Sequence, residues 1–169
     1  GEIGHLPIDP HGPLCECGQR GCLEALASGT AIATRWPVAD GALTATTALL
    51  AAADAGDPAA VAALGEVAGH LAGAVALLAQ TVDPEVVVLG GGVADAGPGL
   101  LEAVRHALRD RAALSPVLAA IHLADRVALV PEGVPAGALG AAVFARHHLR
   151  RADETLSAEP LTDVLPDIP

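Results

Sequence analysis

Apolar residues recur at helical spacing along most of this chain, and twice they gather into short β-branched runs. Over residues 23–36 the pattern predicts a helix with a break near Ser28-Gly29. Pro37 stops it, because proline has no N–H with which to continue a helix. Thr44–Ala53 reads as a short Ala-rich helix. Asp57-Pro58 is a start signal, with an aspartate to accept from free amides and a proline at the first helical position. The helix that follows, about Pro58–Thr81, is apolar nearly all round, which predicts a buried central position. Asp83-Pro84 ends it. The run EVVVL, Glu85–Leu89, closes on three glycines and predicts a buried parallel strand. A helix over Pro98–Ala113, a strand over Arg126–Val130, a loop over Pro131–Pro135 and a helix over Ala136–Leu149 complete the order. Helices alternating with apolar strands predict a layered α/β fold. Residues 1–22 predict the end of an extended segment and then an irregular loop. Residues 150–169 are polar, acidic and proline-bearing, and predict a mobile tail.

Length and composition narrow the function classes. A chain of 169 residues is long enough for one domain with a proper core. Its longest apolar stretch, around Leu71–Ala79, reads as too short to cross a bilayer, so no membrane partner is expected. The first residues carry no basic region of the kind that opens a secretory signal. The three cysteines are odd in number and tightly spaced, which argues for a reducing, cytoplasmic setting and against a disulfide framework. All nine Lys/Arg-type residues are arginine, so a P-loop lysine, a Schiff-base lysine and a Ser-Lys dyad are excluded on this chain. Net charge is −11, with no Tyr and one Phe and one Trp. A nucleic-acid surface needs a basic stripe or stacking aromatics, so direct nucleic-acid contact is not expected.

The chemistry concentrates at the amino-terminal end, in GHLPIDPHGPLCECGQRGCLE. Cys15, Cys17 and Cys22 fall within eight residues, and His5 and His11 stand upstream. Three sulfur ligands and one imidazole make a complete tetrahedral set for zinc. With no open position such a site is structural, and it would hold a loop too rich in Gly and Pro to keep one shape by itself. Spacing leaves His5 and His11 as alternatives for the fourth ligand. Glu2 lies three residues before His5, and Glu24 two residues after Cys22. The loop can therefore gather two carboxylates and an imidazole around one pocket. A histidine that binds metal through one ring nitrogen keeps an N–H on the other, a fixed donor for a sugar hydroxyl. Carboxylates would accept from neighbouring hydroxyls.

Gly90-Gly91-Gly92 follows the first strand, in VVVLGGGV, where a ligand could approach backbone N–H groups. The triplet lacks the G-x-G-x-x-G spacing of a dinucleotide fold and is equally a tight turn. The glycines of 97–99 and 133–140 read as turn and packing residues. His147-His148 read as solvent-facing at a helix end, where a cation suits the dipole.

GEIGH followed by C-x-C-G-x-x-G-C-L-E resembles the signature of the ROK family (repressors, open reading frames and sugar kinases). VVVLGGGV and GALGAAVFA resemble its downstream motifs, and the match runs from Gly1 to about Leu149. The resemblance implies an α/β, actin-like ATPase (ribonuclease H-like) fold, here its C-terminal portion with a zinc-binding loop. It implies His5, Cys15, Cys17 and Cys22 as zinc ligands, with His11 set aside. It implies that Glu2, His5 and Glu24 contact a hexose or N-acetylhexosamine, and that Gly90, Gly91 and Gly92 lie beside the nucleotide. ATP and Mg²⁺ are implied for a full-length parent, as is a homo-oligomer, a dimer. Family kinases also carry an Asp-x-Gly-Gly-Thr phosphate loop and an Asn-Asp pair, whose Asp is the catalytic base. Neither string occurs in this chain. The expectation is a C-terminal part, residues 1–149, of a glucokinase-like kinase that does not turn over alone. The alternative is the effector and oligomerisation half of a sugar-responsive repressor, whose helix-turn-helix is equally missing here.

Overall fold

The computed structural model describes residues 2–39, 44–131 and 133–158. Two compact units are distinguished, Gly1–Glu132 and Gly133–Pro169. In the first, the described order is a 3₁₀ turn at Ile3–His5, then α1 (Leu23–Ala27), α2 (Gly29–Arg35), α3 (Ala45–Asp54), α4 (Pro58–Val82), β1 (Val87–Leu89), α5 (Pro98–Ala113), α6 (Pro116–Ala120) and β2 (Val127–Leu129). The second unit carries α7 (Ala136–Ala158).

Local chemistry explains most boundaries. The break between α1 and α2 falls at Ser28, whose Oγ accepts from the Ala31 amide at 3.1 Å. Thr44 caps α3 in the same way, and Asp57 Oδ1 accepts from the Ala59 and Ala60 amides at 2.8 and 3.2 Å. Asp83 ends α4 in the left-handed region, with φ at +43°, which aspartate tolerates better than most residues. Its carboxylate then receives Arg126 at 2.7 Å, tying the end of α4 to the start of β2.

The core has two neighbouring parts, both served by α4. Ala68, Ala72, Val75 and Ala76 pack on Leu100, Val104 and Leu108 of α5. Alanines on the α4 face let the two helices approach closely, and each fully buried leucine opposite contributes about 1.5–3 kcal/mol. Higher on α4, Ala60, Val67 and Ala74 pack with Leu23, Ala27, Ile32 and Leu49. This second cluster seats α1 and α2, the helices that border the site. By length and apolar content alone α4 is sufficient to cross a membrane. Its apolar faces are used in both core clusters.

β1 and β2 pair in parallel, with Val87, Val88 and Leu89 opposite Val127, Ala128 and Leu129. The parallel expectation holds, but the strand is not wholly buried: Val86 and Val88 are exposed while Val87 and Leu89 are half-buried. With two strands in the described sheet, a β-branched run no longer implies cover on both faces. Three further expectations are corrected. The amino-terminal segment is a 3₁₀ turn rather than extended, closed by His5 N–H donating to the Glu2 carbonyl at 3.1 Å. The short α6, capped by Ser115, is an element that periodicity did not reveal. α7 runs beyond Leu149 to Ala158, since polar helix formers can propagate a helix without an apolar stripe. The rest of the expected tail, 159–169, lies outside the described residues.

Candidate functional site

The loop of residues 6–22 folds back on itself through backbone hydrogen bonds. Pro7 bridges Cys22 and Leu14 bridges Arg20, both antiparallel. The Gly21 carbonyl accepts from Ile8 and Asp9 at 2.9 and 3.2 Å, and the Gly21 amide donates to Pro13 at 2.8 Å. Two glycines permit this closeness. A Cβ on Gly21, whose φ is +65°, would lie 1.5 Å from the Asp9 carbonyl oxygen, and one on Gly12 would lie 2.7 Å from the Gly21 Cα. The Asp9 carboxylate accepts from the His11 amide at 3.0 Å and shapes the first turn.

That folding brings His5, Cys15, Cys17 and Cys22 together, with one nitrogen and three sulfurs all within 4.8 Å of one another. His5 Nδ1 stands 3.6 Å from Cys15 Sγ, and Cys17 Sγ stands 3.6 Å from Cys22 Sγ. A tetrahedral ion with bonds of about 2.0–2.3 Å sets its ligand atoms about 3.3–3.8 Å apart, so these spacings suit a metal. His11 is not in the cluster, which separates the two histidines that spacing left open. Cys15 and Cys22 are buried and Cys17 is exposed. Hydrogen bonds from the Gln19 backbone and side chain hold the Cys17 thiol down at about 7. Burial, reinforced by the neighbouring thiols, pushes Cys22 up to about 12.

Beside the cluster lies a pocket of about 500 Å³. Its lining includes His5 and Cys15, Glu24 from α1, Ser28 at the break between the helices, and Thr30, Thr34 and Arg35 from α2. Glu24 Oε2 approaches His5 Nδ1 to 3.6 Å and lies over Gly4, where an added Cβ would meet it at 3.3 Å. Arg35 is anchored by Glu66 of α4 at 3.3 Å. The pocket therefore offers an imidazole, two carboxylates (Glu16 and Glu24), a guanidinium and hydroxyls among apolar surface from Pro13, Leu14 and Ala31, a set suited to a polyhydroxylated small molecule.

Of the residues the sequence singled out, His5 and Glu24 meet at this pocket. Glu2 does not: it precedes the 3₁₀ turn, is exposed, and is not among the pocket walls. Gly90, Gly91 and Gly92 are exposed in the turn after β1 and also lie outside those walls. There Gly91 takes φ of +75°, and a short 3₁₀ turn at Ala94–Ala96 intervenes before α5. The α2 wall escaped sequence reading because nothing in Thr30, Thr34 and Arg35 marks them until α1 and α2 fold back over the loop. Gln19 escaped it too, although an amide inside a cysteine motif is a visible signal.

The family model of the ROK family matches residues 1–148. An N-acetylmannosamine kinase from Citrobacter koseri is 40% identical over 86% of this chain and 47% of its own length. The crystal structure of a ROK hexokinase from Thermus thermophilus superposes with a TM-score of 0.68 at 37% identity, over 89% of this chain and 49% of that one. A ROK family transcriptional regulator, a homologue of the E. coli MLC protein, superposes at 0.53 with 31% identity, over 77% of this chain and 34% of its own. The chain spans about half the length of the kinases it matches.

Proposed function

This chain belongs to the ROK family, and we propose that it is the sugar-binding, zinc-containing part of a ROK-type ATP-dependent hexose kinase. The observation that carries the reading is that the cluster of His5 with three thiols shares two of its members, His5 and Cys15, with a pocket that Glu24 also lines. Zinc is the ion favoured by a three-sulfur, one-nitrogen set. His5, Cys15, Cys17 and Cys22 would hold it, and its role would be to fix the loop. Whichever ring nitrogen of His5 ligates, the other carries a proton and donates. Glu24 accepts from a neighbouring hydroxyl, and the α2 hydroxyls close the far side. Glu2 joins only if its side chain turns toward the pocket on binding. In this reading residues 1–149 act as one ROK module, cytoplasmic and dimeric in the parent.

In the same reading Gly90–Gly92 border the adenosine side, while ATP, Mg²⁺, the phosphate loop and the catalytic Asp belong to the full kinase. Phosphoryl transfer depends on positioning and charge neutralisation, which this chain supplies only for the acceptor sugar. The chain alone is expected to bind sugar without phosphorylating it. A second reading, the effector half of a sugar-responsive repressor, draws support from the similarity to the MLC homologue. The kinase reading is preferred because the kinase relatives are closer, at 40% and 37% identity.

The test is calorimetry on zinc-loaded protein with glucose and with N-acetylmannosamine. Binding by wild type, with loss of at least tenfold in Glu24→Gln, is expected for a carboxylate that accepts from a buried hydroxyl. Identical affinities in wild type and variant, or no binding of either sugar, would sink the reading. Robust ATP-dependent phosphorylation by the chain alone would contradict the division of labour.

A further inference from the structure

We infer that Gln19 is a positioning residue for the metal site, its side-chain amide bracing the turn that carries His5 against the cysteine loop. The inference rests on the metal reading above and adds a residue to it. Gln19 Nε2 donates to the His5 carbonyl at 3.1 Å, across fourteen positions of sequence, and also to Cys17 Sγ at 3.6 Å. The Gln19 carbonyl accepts from the Cys15 amide at 2.7 Å. One residue thus ties together the segments bearing three of the four ligand atoms.

The chemistry of the side chain fits the task. A carboxamide nitrogen carries two N–H donors, one for each of the two acceptors it faces. A carboxylate of the same shape would turn oxygen toward both a carbonyl and a sulfur and repel them. The His5 carbonyl has a second donor, the Cys22 thiol at 3.4 Å. Sulfur that ligates a metal carries no proton, so Cys22 then ceases to donate. Among the described residues, the Gln19 side chain is what remains to hold that carbonyl. An N–H donated to a thiolate is charge-assisted, so the second contact strengthens in the same state. Partners of this kind, which orient metal ligands without touching the ion, typically change affinity by about 10–100-fold when removed.

The experiment uses the full 169-residue chain, reduced, with zinc affinity read by competition against a chromophoric chelator. Cobalt(II) substitution reports the ligand set through its thiolate charge-transfer band. Gln19→Leu and Gln19→Glu are expected to weaken zinc by about 10–100-fold while the cobalt spectrum still shows three thiolates. Gln19→Arg, which restores donors, is expected to recover most of the affinity. Gln19 is exposed, so these variants leave the core intact, and matching far-UV circular dichroism of the metal-free forms checks that. Affinity unchanged in both Gln19→Leu and Gln19→Glu overturns the role given to Gln19. Wild-type protein that binds no zinc overturns the metal reading itself, and this inference with it.

Discussion

Replacing Gly21 by alanine tests the loop most severely. The new Cβ would sit 1.5 Å from the Asp9 carbonyl oxygen and 2.4 Å from its carbon, and both are backbone atoms that no rotamer change can move. Reaching a tolerable 3.0 Å needs a shift of about 1.5 Å between the two segments. That shift carries the 2.9 and 3.2 Å bonds from Ile8 and Asp9 out of range. Two lost bonds at about 0.5–1.5 kcal/mol each, with about 1–2 kcal/mol for alanine at positive φ, give roughly 2–5 kcal/mol. Gly18→Ala is the control, because Gly18 also has positive φ, at +90°, but has no atom within 4 Å of the added Cβ. It should lose only the strain, about 1–2 kcal/mol. Urea unfolding of the zinc-loaded proteins measures both variants. Each glycine adjoins a ligand, Cys22 or Cys17, but only the Gly21 Cβ forces backbone apart, so zinc affinity should fall in Gly21→Ala and hold in Gly18→Ala. If the two variants destabilise equally, the argument from close approach is wrong.

Two other outcomes are expected. Cys17→Ser should abolish stoichiometric zinc binding and His11→Ala should leave it intact, as read by metal analysis of purified protein; zinc retained in Cys17→Ser would refute the ligand set. His70 on α4 supplies a pH dependence. Its Nδ1 is buried without a partner among the described residues, and burial, then the Arg35 charge, holds its pKa below 6.5, with Arg111 adding to Arg35 and with Glu66 and Asp9 opposing. The unfolded chain then takes up the proton first, so the stability this group contributes is full above about pH 6.5 and declines as pH falls toward the lowered native value. Urea midpoints across pH 5–8 should therefore fall more steeply on the acid side in wild type than in His70→Gln, and parallel curves would exclude it.

Much of the fold was legible because the chain marks its own boundaries. Ser28, Thr44, Asp57 and the prolines at 58 and 98 place helix starts within a residue of those observed. What was not legible depends on neighbours. α6 is a five-residue turn whose pattern is too short to stand out. The half-exposure of β1 follows from how many strands flank it, which its own residues do not encode. At the site, cysteine spacing pointed to the cluster, and the fold separated His5 from His11. Glu2 was grouped with His5 by nearness in sequence; it stands just ahead of the 3₁₀ turn that ends in His5, exposed and outside the pocket lining. Arg35 reaches the pocket through packing of α2 and its tie to Glu66, thirty-one residues away, and no local pattern reports such a distance.

Cys22 occupies the position just ahead of α1, and the amide of Leu23 is held by the Leu6 carbonyl at 3.0 Å. The cysteine loop and the first turn of that helix therefore share a seam, with Leu23 and Leu26 rooted in the interior just beyond it. Heat, chelators or proteases that loosen the loop would pull on the helix that presents Glu24. The acidic wall of the pocket and the sulfur cluster would unravel as one cooperative block, with no state in which the carboxylate stays poised after the thiols have drifted apart.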